Sequence, residues 1–281
     1  NFGFNISQNK NEILELPENK NDELYTFGNK NYAYSVMMGD PLGSFYGYRY
    51  KGVYQNVEET YAVNTSGQRI LDIDGNPVVM KNGDQKVYPG DARYEDVNGD
   101  GVIDENDIVY LGNSNPTLTG GLNFTLRYKK VSLVAAFHGR AGQKVINQAR
   151  MDMENMRGKN NQSVAVLRRW RSEGDDTDIP RALYDKGYNY LGSDRFVEDA
   201  SFLRLKTVTL KYQMPAKWMK AIGVNKLELY ATGYDMFVWT KYKGQDPEVN
   251  LKAANDGTVA QVAIDSNNTP KPFKIAFGLN L

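Results

Sequence analysis

The stretch that decides the fold is KPFKIAFGLNL, Lys271–Leu281. From Phe273 onward it is two-periodic: Phe273, Ile275, Phe277, Leu279 and Leu281 share one side, and Lys274, Ala276, Gly278 and Asn280 the other. Successive side chains of a strand point to opposite faces, so this segment reads as a β-strand with one apolar and one polar face. The pattern recurs in GGLNFTLRY (Gly120–Tyr128) and VSLVAAFHG (Val131–Gly139). Leu122, Phe124, Leu126 and Tyr128 alternate in the first, and Val131, Leu133, Ala135 and Phe137 in the second. Only Lys129 and Lys130 lie between them, which predicts a tight hairpin.

Two further hairpins are expected. One joins SFLRLKTVTLKYQMP (Ser201–Pro215) to KLELYATGYDMFVWTK (Lys226–Lys241) through AKWMKAIGVN, and the other joins NFGFNISQ to NEILEL around Asn9–Asn11. About seven strands result, in the range of ~9–11 residues that cross an outer membrane at a tilt. The connections alternate in length. They are short after strands one, three and five and long after two, four and six, the long ones covering roughly Pro17–Leu118, Arg140–Ala200 and Tyr242–Thr269. All long connections then emerge on one side, as in outer-membrane barrels with short periplasmic turns and long extracellular loops. A soluble sandwich has no reason to sort its loops in this way. Aromatic residues cluster towards strand ends, Tyr128, Tyr212 and Trp218 near short turns and Tyr234, Phe237, Trp239 and Tyr242 near a long one. Two interfacial girdles are expected there.

Composition agrees. Of 281 residues 41% are hydrophobic and 12% aromatic, with 19 tyrosines, a balance suited to strands and interfaces. Lys plus Arg and Asp plus Glu are 34 each, so no basic field argues for nucleic acid. The absence of cysteine excludes disulfides, thiolate metal sites and cysteine nucleophiles. No run of 18 apolar residues exists, which leaves a β-barrel as the way to span a bilayer. The chain opens at Asn1 inside an alternating segment, so a piece of a longer protein is expected.

At this point the residues resemble the SusC/RagA-like TonB-dependent outer-membrane transporters of Bacteroidota, over nearly the whole chain. The carrying segments are NFGFNISQNKNEILEL, GDPLGSFYGYRYKGVYQ, and GDARYEDVNGDGVIDENDIVYLGNSNPTLTGGLNFTLRYKKVSLVAAFHGRAG. RRW, DIPR, DRFVEDASFLRLKTVTLKYQMP, LYATGYDMFVWTKYKGQDPEV and the closing strand follow in order. The resemblance implies that residues 1–281 are the C-terminal part of a barrel of about 22 strands, with plug domain and earlier strands upstream. It further implies TonB-dependent import of oligosaccharides or peptides across a Gram-negative outer membrane. A SusD-like surface lipoprotein would be the partner, and TonB would act through the upstream part. No enzyme activity and no catalytic cofactor are implied. The rival readings are a secreted, dockerin-like carbohydrate-binding module with a calcium loop, and a β-rich glycoside hydrolase.

The calcium question comes from DVNGDGVIDEND, Asp96–Asp107, whose acidic and amide residues fall at the loop positions an EF-hand uses, with Gly101 sixth. Pro89 and Gly90 before it and Gly112, Asn113 and Pro116 after it predict a loop without flanking helices. A structural calcium ion is expected on Asp96, Asn98, Asp100, the Val102 carbonyl, Asp104 and Asp107. The competing reading is a metal-free turn held by its own side chains. Tyr46, Tyr48, Tyr50, Trp239 and Tyr242 are candidate faces for stacking cargo, against a reading as packing or interfacial aromatics. His138, the only histidine, is read as structural, and Asp175, Asp176 and Asp178 as a solvated acidic loop.

Overall fold

The computed structural model describes residues 1–16, 25–26, 32–34, 37–221, 223–253 and 261–281. Its principal element is a six-stranded antiparallel sheet of β1 (Phe2–Gln8), β2 (Leu118–Tyr128), β3 (Val131–Ala141), β4 (Phe202–Gln213), β5 (Glu228–Thr240) and β6 (Lys274–Asn280), in that spatial order. Among the described residues no helix is long and apolar enough to cross a membrane, which says nothing of strands.

The β2–β3 hairpin turns at Lys129 and Lys130 as expected, in unbroken register from Leu118↔Ala141 to Tyr128↔Val131. The β4–β5 hairpin also forms, its connection holding a short helix, α1 (Ala216–Ala221). The first expected hairpin does not form. Asn11–Leu16 is not a strand, and β1 pairs with β2 instead, Phe2 facing Phe124 and Gln8 facing Leu118. Ile13 exchanges backbone hydrogen bonds with Gly39 and Asp40. Six strands therefore stand where seven were expected, and the first long connection begins at Asn9. The alternation of long and short connections survives the correction.

Directly opposed residues of antiparallel strands share a face, so register sorts every side chain. One face carries Phe2, Phe4 and Ile6, then Leu122, Phe124, Leu126 and Tyr128, then Val131, Leu133, Ala135 and Phe137. It continues through Leu203, Leu205, Val208, Leu210 and Tyr212 to Leu229, Ala231, Phe237 and Trp239, and ends on Ile275, Phe277 and Leu279. The opposite face carries Asn5, Asn123, Thr125, Arg127, Ser132, His138, Arg204, Thr207, Thr209, Lys211, Thr232 and Lys274. A register shift near Lys206 on β4 is matched by one between Tyr234 and Phe237 on β5, where Asp235 takes φ +48°. One residue is left out on β4 and two on β5, and the apolar face stays continuous because the β4 sequence shifts its own alternation by one there, from Leu203 and Leu205 to Val208 and Leu210.

The three long connections pack together at the other end of the sheet from the Lys129–Lys130 turn. One core joins Tyr32 and Phe45 of the first to Ile146, Met151 and Phe196 of the second and Val262 of the third. A second is built mainly from the first connection around Tyr54, Met80 and Tyr94, with Leu191 from the second. A third combines Val145 and Ala200 with Tyr242 and Ala263. The connections thus form a single cap.

Candidate functional site

The polar face of the sheet meets the cap at a cluster of charges. Arg204, on β4 of that face, is 2% exposed. Its guanidinium reaches Asp246 at 2.6 Å and Glu248 at 2.9 Å, both in the third long connection. Lys271 and Lys206 also approach Glu248, at 2.5 and 3.4 Å. Lys206 in turn lies 3.4 Å from Asp235. The two irregularities explain the geometry, because Lys206 and Asp235, with Met236, are the residues that the register shifts leave out of the ladder. Asp246 Oδ1 further accepts the Glu248 amide at 2.9 Å, and Oδ2 the Lys271 amide at 3.3 Å. Burial by itself would raise the Glu248 carboxyl, but Lys271, Lys206 and Arg204 outweigh it and hold it below its ordinary value. A buried charge without partners is strongly unfavourable, so this cluster works as a clamp that fixes the third connection on the polar wall.

Of the candidate cargo aromatics only Tyr48 and Tyr50 come together, both against the ring of Tyr94 at 5.6 and 5.8 Å. Tyr46 is 3% exposed, donates its hydroxyl to Asp40 at 2.6 Å and packs edge-on against Tyr110. Tyr48 packs on Tyr94 in the second core, and burial pushes its hydroxyl up to about 12. Tyr50 donates to the Asp178 carbonyl at 2.5 Å beneath the Arg195 guanidinium. Tyr242 is buried in the third core and donates to Asp265 at 2.5 Å. These four pack the cap, with their hydroxyls or rings engaged by protein. Trp239 stands on the apolar face of the sheet, 6.3 Å from Phe137 and 6.1 Å from Phe237. Of the expected girdle residues Tyr128, Tyr212, Phe237 and Trp239 are on the apolar face, whereas Tyr234 pairs with Thr207 on the polar one and Tyr242 is inside the cap.

The Asp96–Asp107 loop has no flanking helix beyond the three-residue turn Glu105–Asp107, which removes the structural signature of a dockerin. Its side chains hold their own backbone. Asp96 accepts the Gly99 and Gly101 amides at 2.7 and 2.8 Å, Asp100 the Val102 amide at 2.8 Å, and Asp104 the Asn106 amide at 2.8 Å. Asp107 is fully buried and accepts the Val97 amide at 2.7 Å and the Asp104 amide at 2.9 Å. Among the described residues no three His, Cys, Asp or Glu side chains are grouped to hold a metal ion. These contacts hold the loop's backbone, and each carboxylate oxygen that accepts a single amide keeps a second lone pair with which it can meet a cation. Asp175 likewise accepts the Arg171 and Ser172 amides, which hold its carboxyl below the ordinary value. His138 faces Gly121 and Arg204 across the strands and sits edge-on to Phe202 at 5.9 Å.

No family model matches the chain. It is 33% identical to the TonB-dependent receptor P26 of Formosa agariphila, over 98% of its own length and 26% of that protein. With SusC, a TonB-dependent receptor of Bacteroides thetaiotaomicron, it shares 26% identity over 100% of the chain and 24% of the relative. The chain thus spans about a quarter of the length of the relatives it matches. In structure it superposes on a chain of the RagAB peptide transporter with a TM-score of 0.68 at 23% identity, covering 99% of this chain and 26% of that one. A second RagAB structure, in a closed-closed state, gives 0.66. At such identities the structural likeness speaks for the fold, a portion of a large antiparallel β-barrel.

Proposed function

We infer, from a chain that belongs with the SusC/RagA-like TonB-dependent receptors, that its six strands are a wall segment of an outer-membrane barrel serving TonB-dependent nutrient import in a Gram-negative bacterium. The carrying observation is the two-sidedness of the sheet. A continuous apolar face suits lipid, and the polar face suits a lumen. The cap of long connections then stands on the extracellular side and the Lys129–Lys130 turn in the periplasm, with Tyr128 and Tyr212 at one membrane interface and Phe237 and Trp239 at the other. Residues 1–281 supply barrel wall and cap, and the plug and the contact with TonB belong to other parts of the receptor.

Oligosaccharides or peptides are the proposed cargo, captured together with a SusD-like surface lipoprotein seated on the cap. Loops of this length are uncommon without a binding or gating role. The proposed role is transport and includes no catalytic step. The test is fractionation of the native receptor. It is expected to require detergent for extraction, to migrate with heat-dependent mobility, and to copurify with a lipoprotein under gentle detergent. Release from cells in plain buffer overturns the barrel reading, and repeated purification without any lipoprotein overturns the partner.

A further inference from the structure

We propose that the cap carries a recognition site for one unit of an acidic saccharide, in a cavity between residues 82–91 and 181–189. The proposal rests on the import reading only for its biological setting. The cavity is about 350 Å³, within the range of small-molecule sites. Its wall includes Asn82, which is 5% exposed and whose side-chain oxygen has no hydrogen-bond partner. A buried amide of this kind requires a polar partner, and none comes from the described residues.

Charge gives the ligand its sign. Lys86 and Lys186 both line the cavity, and neither is within ion-pair distance of a carboxylate among the described residues. Arg181 lines it as well, and directs Nε and Nη2 to Asp91 at 2.7 and 3.2 Å. Asp91 is the only lining acid among the described residues, and that pairing already neutralises it. The Asn189 amide is fully engaged by the Ala92 amide, Asp91 and the Arg181 carbonyl, so it shapes the wall and leaves recognition to Asn82 and the cations. Tyr88 lies under the Arg181 guanidinium, 5.5 Å away, and Tyr188 donates to Asp84 at 3.2 Å. Two aromatic rings, an amide oxygen without a partner and two ammonium groups without an ion pair among the described residues match a hydroxylated ring that bears a carboxylate. A plain acidic peptide would match the lysines alone.

Titration calorimetry on the full-length receptor in detergent tests this, with digalacturonate, maltose and triglutamate as probes. Digalacturonate is expected to bind, maltose at least about tenfold more weakly, and the K86M/K186M double variant to lose about tenfold or more for digalacturonate with maltose unchanged. An Asn82→Ala variant is expected to weaken both sugars. Both lysines are exposed and unpaired, so the double variant keeps its fold, checked by its melting temperature. Equal binding of the two sugars, binding of triglutamate alone, no binding of any probe, or an unaffected double variant each overturns the proposal. Failure of the receptor to behave as a barrel is read by extraction and heat-dependent mobility, and is a separate result.

Discussion

Replacing Ile275 by arginine tests the assignment of faces most directly. Five rows of paired residues climb the apolar face, from Tyr128, Val131, Tyr212, Leu229 and Leu279 at the short-turn end to Ile6, Gly120, Gly139, Leu203 and Trp239 at the cap end. Ile275 stands in the middle row, with Phe124, Ala135, Val208 and Gly233. Rows are two residues apart, about 7 Å along a strand, or about 5 Å along the membrane normal at a 45° tilt. The middle row is then about 10 Å from either aromatic level, near the centre of a band about 25 Å tall. Arginine at that depth costs about 2–4 kcal/mol, against about 0–1 kcal/mol near the interfaces. The series Ile275→Arg, Phe277→Arg and Leu279→Arg is therefore expected to fall in that order, with Phe277→Arg impaired in assembly. Ala276→Arg, one residue away and opposite Thr232 on the polar face, is expected to cost less than about 1 kcal/mol. Guanidinium denaturation of the full-length receptor in lipid vesicles measures the series. An Ala276→Arg loss equal to that of Ile275→Arg would refute the assignment of faces.

Arg204→Met leaves Asp246 and Glu248 buried without their guanidinium and is expected to cost about 3–5 kcal/mol. Lys271→Met, at a half-exposed position, is expected to cost about 0–1 kcal/mol; melting temperatures of the two variants separate them. Because the Glu248 carboxyl is held below its ordinary 4.5, its contribution is fully present above that pH and is lost as pH falls through the depressed value. Proteolysis within residues 241–273 should therefore rise below about pH 4.5, and in Glu248→Gln that dependence should flatten. Asp107→Ala removes a fully buried carboxylate that accepts the part-buried Val97 and Asp104 amides, and is expected to cost about 1–3 kcal/mol, read by thermal melting. Calcium at millimolar concentration is expected to raise the melting temperature of the wild type by more than about 2 °C, reversibly on chelation, if the ion sits on Asp96, Asn98, Asp100, the Val102 carbonyl, Asp104 and Asp107, whereas an unchanged melting temperature decides for the self-held turn.

The faces of β2 to β6 were legible because a period of two is local information, written residue by residue in segments such as KIAFGLN. The partner of β1 was not. NEILEL lies close in sequence and partly alternates, but the strand that satisfies Phe2–Gln8 is more than a hundred residues away, and adjacency in sequence says nothing about that pairing. The surroundings of the tyrosines were hidden for a related reason. Tyr46, Tyr48 and Tyr242 have the composition of a binding surface, and only the distant residues Tyr110, Tyr94 and Asp265 make them interior. Arg204 carried a faint signal, a charge inside the otherwise regular strand FLRLKTVTL. Its counterparts in QDPEV lie forty residues on, so the clamp becomes visible only when both are placed.

The core that takes Tyr32 and Phe45 from one connection, Phe196 from another and Val262 from a third has a bearing on how such receptors diversify. A surface loop that folds on its own can be traded between relatives one at a time. Here each connection completes a packing surface begun by the others, so a transplanted single connection would meet cavities and overlaps where its neighbours had been matched to its predecessor. The smallest unit that can change without leaving voids is then the set of three, exchanged together or altered by small mutually adjusted steps.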